Sequence, residues 1–142
     1  MKRLITALIF GCALTFGCAS TLQKDLNTAL VFESSAQTAE QNIVLVAQAA
    51  IALLPADQQG KAQADLTQAA GAATRAFAAK DAAIQAAIDA DSASGLNLPA
   101  LVADITAAIQ AIVALANTFG ASEGTTAVIQ SQLLAAQRRV MQ

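Results

Sequence analysis

Histidine, tryptophan and tyrosine are absent from the 142 residues, and there are only two prolines and two cysteines. Each shortage excludes something. Without histidine the chain lacks the commonest general base and the commonest metal ligand. Its cysteines, Cys12 and Cys18, both stand near the start, so no disulfide can cross-link the body, which must hold together by packing alone. Charged residues make up 13% of the chain, and no lysine or arginine occurs between Asp81 and Gln137. That gap excludes a polybasic patch there, of the kind that neutralises nucleic-acid phosphates.

The remaining chemistry is equally thin. No glycine-rich phosphate loop and no metal-ligand spacing is present. Asp89 and Asp91 are two apart on a helical pattern and so point to different faces. Ser34, Ser35, Ser92, Ser94, Ser122 and Ser131 fall at expected breaks, caps or helix surfaces, where turn and capping chemistry accounts for them. No catalytic, cofactor-binding or metal-ligating residue is expected, and the chain is not expected to be an enzyme.

What is present begins with an export signal. Lys2 and Arg3 form a positive end, an apolar run from Leu4 to Phe16 follows, and Gly17, Cys18, Ala19 and Ser20 are small. This is the three-part layout of a secretory signal. The run of 13 residues from Leu4 to Phe16 falls short of the roughly 20 needed to span a bilayer core. The stretch Thr15, Phe16, Gly17, Cys18 resembles the end of the signal in bacterial lipoprotein precursors, a motif of Leu, then Ala or Ser, then Gly or Ala, then Cys. Gly17 and Cys18 match it; Thr15 and Phe16 depart from it. Cys12 also follows a glycine, but the apolar run before it is too short, and it is read as discarded with the signal.

The resemblance implies cleavage before Cys18, giving a signal peptide over residues 1–17 and acyl chains on Cys18, the expected lipidation site. Two or more acyl chains anchor stably where one holds only reversibly. Ala19 and Ser20 lack the acidic residue that favours inner-membrane retention, which implies the cell envelope, at the outer membrane facing the periplasm. Cleavage after Ala19, giving a secreted protein without lipid, stays open as the alternative.

Residues 18–142 then form one domain. Its charge is 6 basic minus 10 acidic residues, or −4, which argues further against nucleic acid. About a quarter of the residues are alanine, the best helix former, and β-branched runs are rare. The expected fold is all-α: an antiparallel up-and-down helical bundle of three to four helices. A first tract is expected from about Thr21 to Leu54, stopped by Pro55, with a weak point at Ser34 and Ser35. The second runs from about Asp57 to Ala93, ended by Ser92 to Gly95, and makes a long hairpin with the first. A third is capped by Asn97, carries Pro99 in its first turn and closes at Gly120; a fourth begins at Ser122 and ends with Arg138 and Arg139.

Apolar stripes at helical spacing mark the core faces. They are expected at Leu22, Leu26, Ala29, Ala36, Ile43, Ala47, Ala50 and Leu54; at Leu66, Ala70, Ala73, Phe77, Ile84 and Ile88; and at Ile129, Leu133, Ala136 and Val140. The third tract has the broadest face, built on Leu98, Leu101, Val102, Ile105, Ile109, Ile112, Val113, Ala116 and Phe119. It must supply most of the core, because a buried Leu or Ile contributes about 1.5–3 kcal/mol and an alanine methyl about 0.8. Its single formal charge, Asp104, leaves a membrane-inserting element conceivable, but Asp104 would cost about 2.5–3.5 kcal/mol near a bilayer centre. A core helix is expected.

Glu33 and Glu40 interrupt the first stripe. In the hairpin they would face Lys80 and Arg75, and they are read as two exposed ion pairs contributing about 0–1 kcal/mol each, with a paired carboxylate site as the alternative.

Two functional classes remain. The first is a lipid-anchored, non-enzymatic interaction or structural module of the envelope. Its expected partners are membrane lipid, through acylated Cys18, and an envelope protein, with a homo-oligomer left open. The stretch "ALLPADQQGKAQADL" (Ala52 to Leu66) between alanine-rich helices resembles small lipoproteins carried by phages and prophages, which implies envelope modification. The second class is membrane disruption or lysis by release of the third tract.

Overall fold

Pro55 ends the first helix by removing a backbone donor and by disfavouring helical geometry at Leu54. In the computed structural model, which describes residues 21–142, helix α1 (Thr21–Ala52) accordingly tightens into a last turn in which the Leu53 and Leu54 amides donate to the Ala50 and Ile51 carbonyls. The Gln59 side chain then reaches back to donate to the Leu54 carbonyl at 2.8 Å, satisfying one of the orphan acceptors left at a helix end. The export signal expected over residues 1–17 and the lipidation site expected at Cys18 lie outside the described residues.

Three further helices follow: α2 (Ala56–Asp89), α3 (Leu98–Thr118) and α4 (Glu123–Val140). The expected weak point in α1 is not there. The Ser35 and Thr38 hydroxyls donate to the carbonyls of Val31 and Ser34, four residues back, so they are satisfied without leaving the helix. Helix α2 ends earlier than the sequence suggested, at Asp89, and the glycine is not what ends it. Asp91 takes the left-handed conformation (φ 46°), its amide donates to the Ile88 carbonyl, and the Ser92 amide donates to that of Ala87. This is a Schellman closure with aspartate in the usual glycine place. The same closure ends α3 with the expected residue, Gly120 at φ 91°, and amide bonds from Gly120 to Asn117 and from Ala121 to Ala116. Asn97 caps α3 by accepting from the Ala100 amide at 3.2 Å. Ser122 stands at the start of α4 without a side-chain capping bond.

All four helices form one bundle, with α1 and α3 in contact along its short diagonal. Helix α2 packs against both on one side and α4 against both on the other, while α2 and α4 do not touch. Chain direction follows from paired residues. Glu33 and Lys80, one well before Pro55 and one well after it, meet across the α1–α2 seam. Asn27 and Thr28 share a groove with Arg139 and Val140, and Leu45 and Val46 share another with Gly124 and Thr125, so α4 runs antiparallel to α1.

Helix α3 is the centre of the core, with Val102, Ile105, Ile109 and Ile112 fully buried. Around it lie Phe32, Ile43 and the alanines Ala29, Ala36 and Ala47 from α1, Leu66, Ala73 and Phe77 from α2, and Ile129 and Leu133 from α4. The stripes hold in their middles and fail at their ends. Leu22, Leu26 and Leu54 are only half-buried and Ile88 is exposed. The reason is length: α1 and α2 have 32 and 34 residues against 21 and 18 for α3 and α4, or about 50 Å against about 30 Å at 1.5 Å per residue. The long hairpin outreaches the short one, so Leu22, Leu26 and Ile88 at its open end are incompletely covered, while Leu54 at the closed end packs against the edge of the core.

Candidate functional site

Two places carry something other than core packing: a polar network on the α1–α2 seam and the outer face of the α1–α4 pair. The network forms because Lys80 sits on the buried stripe of α2, three residues after Phe77. Its stem lies in the helix interface while its ammonium reaches carboxylates at the edge. The Nζ atom donates to Oε2 of Glu33 at 2.6 Å and forms an ion pair with Oδ1 of Asp81 at 2.8 Å, and Lys80 is 1% exposed. The other oxygen of Glu33, Oε1, accepts from Nε2 of Gln37 at 2.8 Å.

Of the two ion pairs read from the hairpin, the first is therefore present but is not the exposed pair expected. Its lysine is fully withdrawn from water, so the small magnitudes of surface pairs do not apply. The second is absent. Arg75 is exposed and lies back along its own helix, where a side chain on Gly71 would meet its guanidinium at 3.5 Å. Glu40 is left half-buried with no cation, and desolvation raises its carboxyl above the ordinary range. The paired-carboxylate alternative fails on the same geometry, because Glu33 is committed to Lys80 and Gln37. Lys80, covered and held by two carboxylates, is not presented to a substrate.

On the α1–α4 face, Val31, Leu45 and Val128 are 58%, 63% and 57% exposed. Two shallow grooves run between the helices, of about 250 and about 560 Å³. The smaller lies among Asn27, Val31, Ala136 and Arg139, the larger among Asn42, Leu45, Thr125 and Val128. Both open to solvent along their length, unlike the concave sites that enclose most of a small ligand. They are surfaces rather than pockets.

The chain matches no protein-family model, no curated protein and no solved structure. Chemistry must be read from these residues alone. Among the described residues no group of three or more Cys, Asp or Glu is placed to hold a metal ion. Helix α3 is the one described helix long and apolar enough to cross a membrane. Its apolar side is committed to the bundle: Leu98, Val102, Ile105, Ile109, Ile112 and Ala116 are all buried.

Sequence reasoning paired Glu33 with Lys80 but missed the burial of the lysine, and it missed the outer face of the α1–α4 pair. Lys80 was readable as a member of the α2 stripe, at the spacing of Phe77 and Ile84, but was assigned to the surface by residue type. Val31, Leu45 and Val128 each stand one position from a core residue (Phe32, Val44 at the core edge, Ile129), which on a helix is a turn of about 100° away from the interior. That offset is the signal that distinguishes them.

Proposed function

We propose that the protein is a lipid-anchored, non-enzymatic component of the cell envelope, in which acyl chains on Cys18 hold the helical bundle at a membrane surface as an interaction or structural module. The observation that carries this reading is the Gly17–Cys18 pair at the end of the apolar run behind Lys2 and Arg3, with α1 beginning only three residues later, at Thr21. So short a tether keeps the bundle within about 10 Å of the lipid, at about 3.5 Å per extended residue. A partner reached from there is a protein of the same membrane surface, and the residues after Cys18 favour the periplasmic side of the outer membrane. The fully packed bundle supports a module that presents surfaces and leaves chemistry to others.

Incorporation of labelled fatty acid tests the anchor. Label is expected in the natural chain and lost in Cys18→Ala, with the variant moving from the membrane to the soluble fraction; undiminished label in the variant refutes the reading.

A second reading, membrane disruption or lysis, is favoured by the length and apolarity of α3. It requires withdrawing the fully buried Ile105, Ile109 and Ile112 from the core, at about 1.5–3 kcal/mol for each side chain exposed on the way. Release of a trapped dye from liposomes by the purified bundle, at low protein-to-lipid ratio, would favour this reading over the first.

A further inference from the structure

We propose that the outer face of the α1–α4 pair is the surface by which the tethered bundle lies on the bilayer, and that its occupant is a lipid surface carrying anionic headgroups. The proposal rests on the lipid-anchor reading above and adds to it an orientation.

Three observations converge on this face. The first is apolar exposure. Val31 and Leu45 on α1 are 14 residues apart, close to four turns, so they share one side of the helix about 21 Å apart. Val128 on α4 lines the same groove as Leu45. No other helix covers these residues, because α2 stands at the far corner and does not touch α4.

Charge is the second. No carboxylate lines either groove, Arg139 lines the smaller one, and α4 carries no acidic residue after Glu123 but ends in Arg138 and Arg139. Asp57, Asp65, Asp81, Asp89 and Asp91 lie on α2 or its flanks and Asp104 on α3; α1 itself carries Asp25, Glu33 and Glu40, but none of them lines either groove, and Glu33 is paired with Lys80. A chain that is acidic overall thus has one long face that an anionic surface would not repel.

The third is reach. Helix α1 is one of the two helices that make this face, and it starts three residues after Cys18. The anchor therefore stands three residues from the helix that carries the Val31–Arg139 end of the face.

The same observations set the strength of the contact. Between Val31 and Leu45 the exposed positions include Ser34, Thr38 and Asn42, so the face is far less apolar than that of a helix that binds membranes unaided. It engages only because the tether supplies a high local concentration of lipid, and it depends on unscreened attraction to the arginines.

The absence of tryptophan from the chain makes a direct test available. Full-length, acylated protein is reconstituted into vesicles of phosphatidylethanolamine and phosphatidylglycerol containing brominated lipid, with a single reporter introduced as Val128→Trp, Leu45→Trp or, on α2, Ala79→Trp. All three positions are exposed, and thermal melts establish that each variant folds. Expected is several-fold stronger quenching at positions 128 and 45 than at 79. The excess should disappear in the doubly substituted Arg138→Gln, Arg139→Gln background and at about 1 M salt, where the screening length falls to about 3 Å. Equal quenching at all three positions, in protein that floats with the vesicles, overturns the orientation while leaving the anchor intact. Protein that does not float overturns the anchor, and the orientation with it. Efficient cross-linking of two copies through Val128→Cys without bromine quenching at 128 would assign the face to a second copy and overturn the lipid proposal.

Discussion

The ammonium of Lys80 on α2 lies 2.6 Å from Oε2 of Glu33 on α1, across 47 residues of sequence, and the lysine that makes this contact is buried to 1% exposure. The seam between these helices is otherwise largely alanine, whose methyl groups slide past one another with little penalty. A lysine whose stem fills the seam and whose head is held by Glu33 and Asp81 fixes one register of the hairpin.

Breaking that contact from one side leaves an uncompensated carboxylate and a void. Lys80→Ala is expected to lower stability by about 3 kcal/mol, whereas joint replacement by Lys80→Met and Glu33→Gln should cost less than about 1 kcal/mol, since uncharged residues of similar volume in place of a buried pair are often neutral. Urea unfolding of both variants checks the difference, and equal midpoints would show that the pair contributes nothing beyond its volume.

Glu40 behaves in the opposite way. Burial raises its carboxyl above the ordinary value of 4.5 and no cation offsets this, so the folded state binds the proton more tightly than the unfolded state. Its contribution to stability is therefore fully present below about pH 4.5 and is lost as pH rises through the higher folded-state value. Glu40→Gln is expected to be more stable than the natural protein at pH 7 and indistinguishable from it at the acid end of that window. Thermal melts across the range measure the crossover; a pH-independent difference would place the effect elsewhere.

The two Schellman closures make a matched pair. Asp91 holds φ 46° at the end of α2 and Gly120 holds φ 91° at the end of α3. Left-handed geometry is strained for a side chain and free for glycine, so Asp91→Gly should raise stability by about 0.5–1 kcal/mol and Gly120→Ala lower it by about 1 kcal/mol. Space plays no part at Gly120, where an added methyl meets nothing within 4 Å. A null result there would mean that the backbone, rather than the residue, has adjusted.

Much of this architecture was legible in the residues. Alanine content, the break at Pro55, the Asn97–Pro99 start and the Gly120 stop are local signals, and local chemistry decides them. The unequal reach of the two hairpins was not, because it depends on which helices pass which others. Leu22 and Ile88 carry the right spacing and lose their burial only through that mismatch. The polar network was half legible: numbering along the hairpin pairs Glu33 with Lys80 and Glu40 with Arg75, but only the fold decides that one lysine is swallowed and one arginine lies back over Gly71. Apolar exposure on α1 and α4 was hidden for a related reason, since Val31 and Val128 differ from their buried neighbours Phe32 and Ile129 only by one step of helical rotation.

Thr106 marks the remaining polar atom out of place. It sits on α3 between Ile105 and Ile109, 3% exposed, and its hydroxyl has no hydrogen-bond partner. Among the described residues the other buried threonine, Thr126, differs in that its hydroxyl donates to the Ser122 and Glu123 carbonyls. An unsatisfied buried hydroxyl costs about 1–3 kcal/mol, and replacement by a group of the same shape without polarity recovers it. Thr106→Val should therefore stabilise the bundle by about 1 kcal/mol or more. Thr126→Val, which removes a satisfied hydroxyl near the start of α4, should stabilise it less or not at all. Side-by-side urea titrations decide it: if Thr106→Val destabilises, its hydroxyl has a partner in solution, and the centre of the core is wetter than its packing implies.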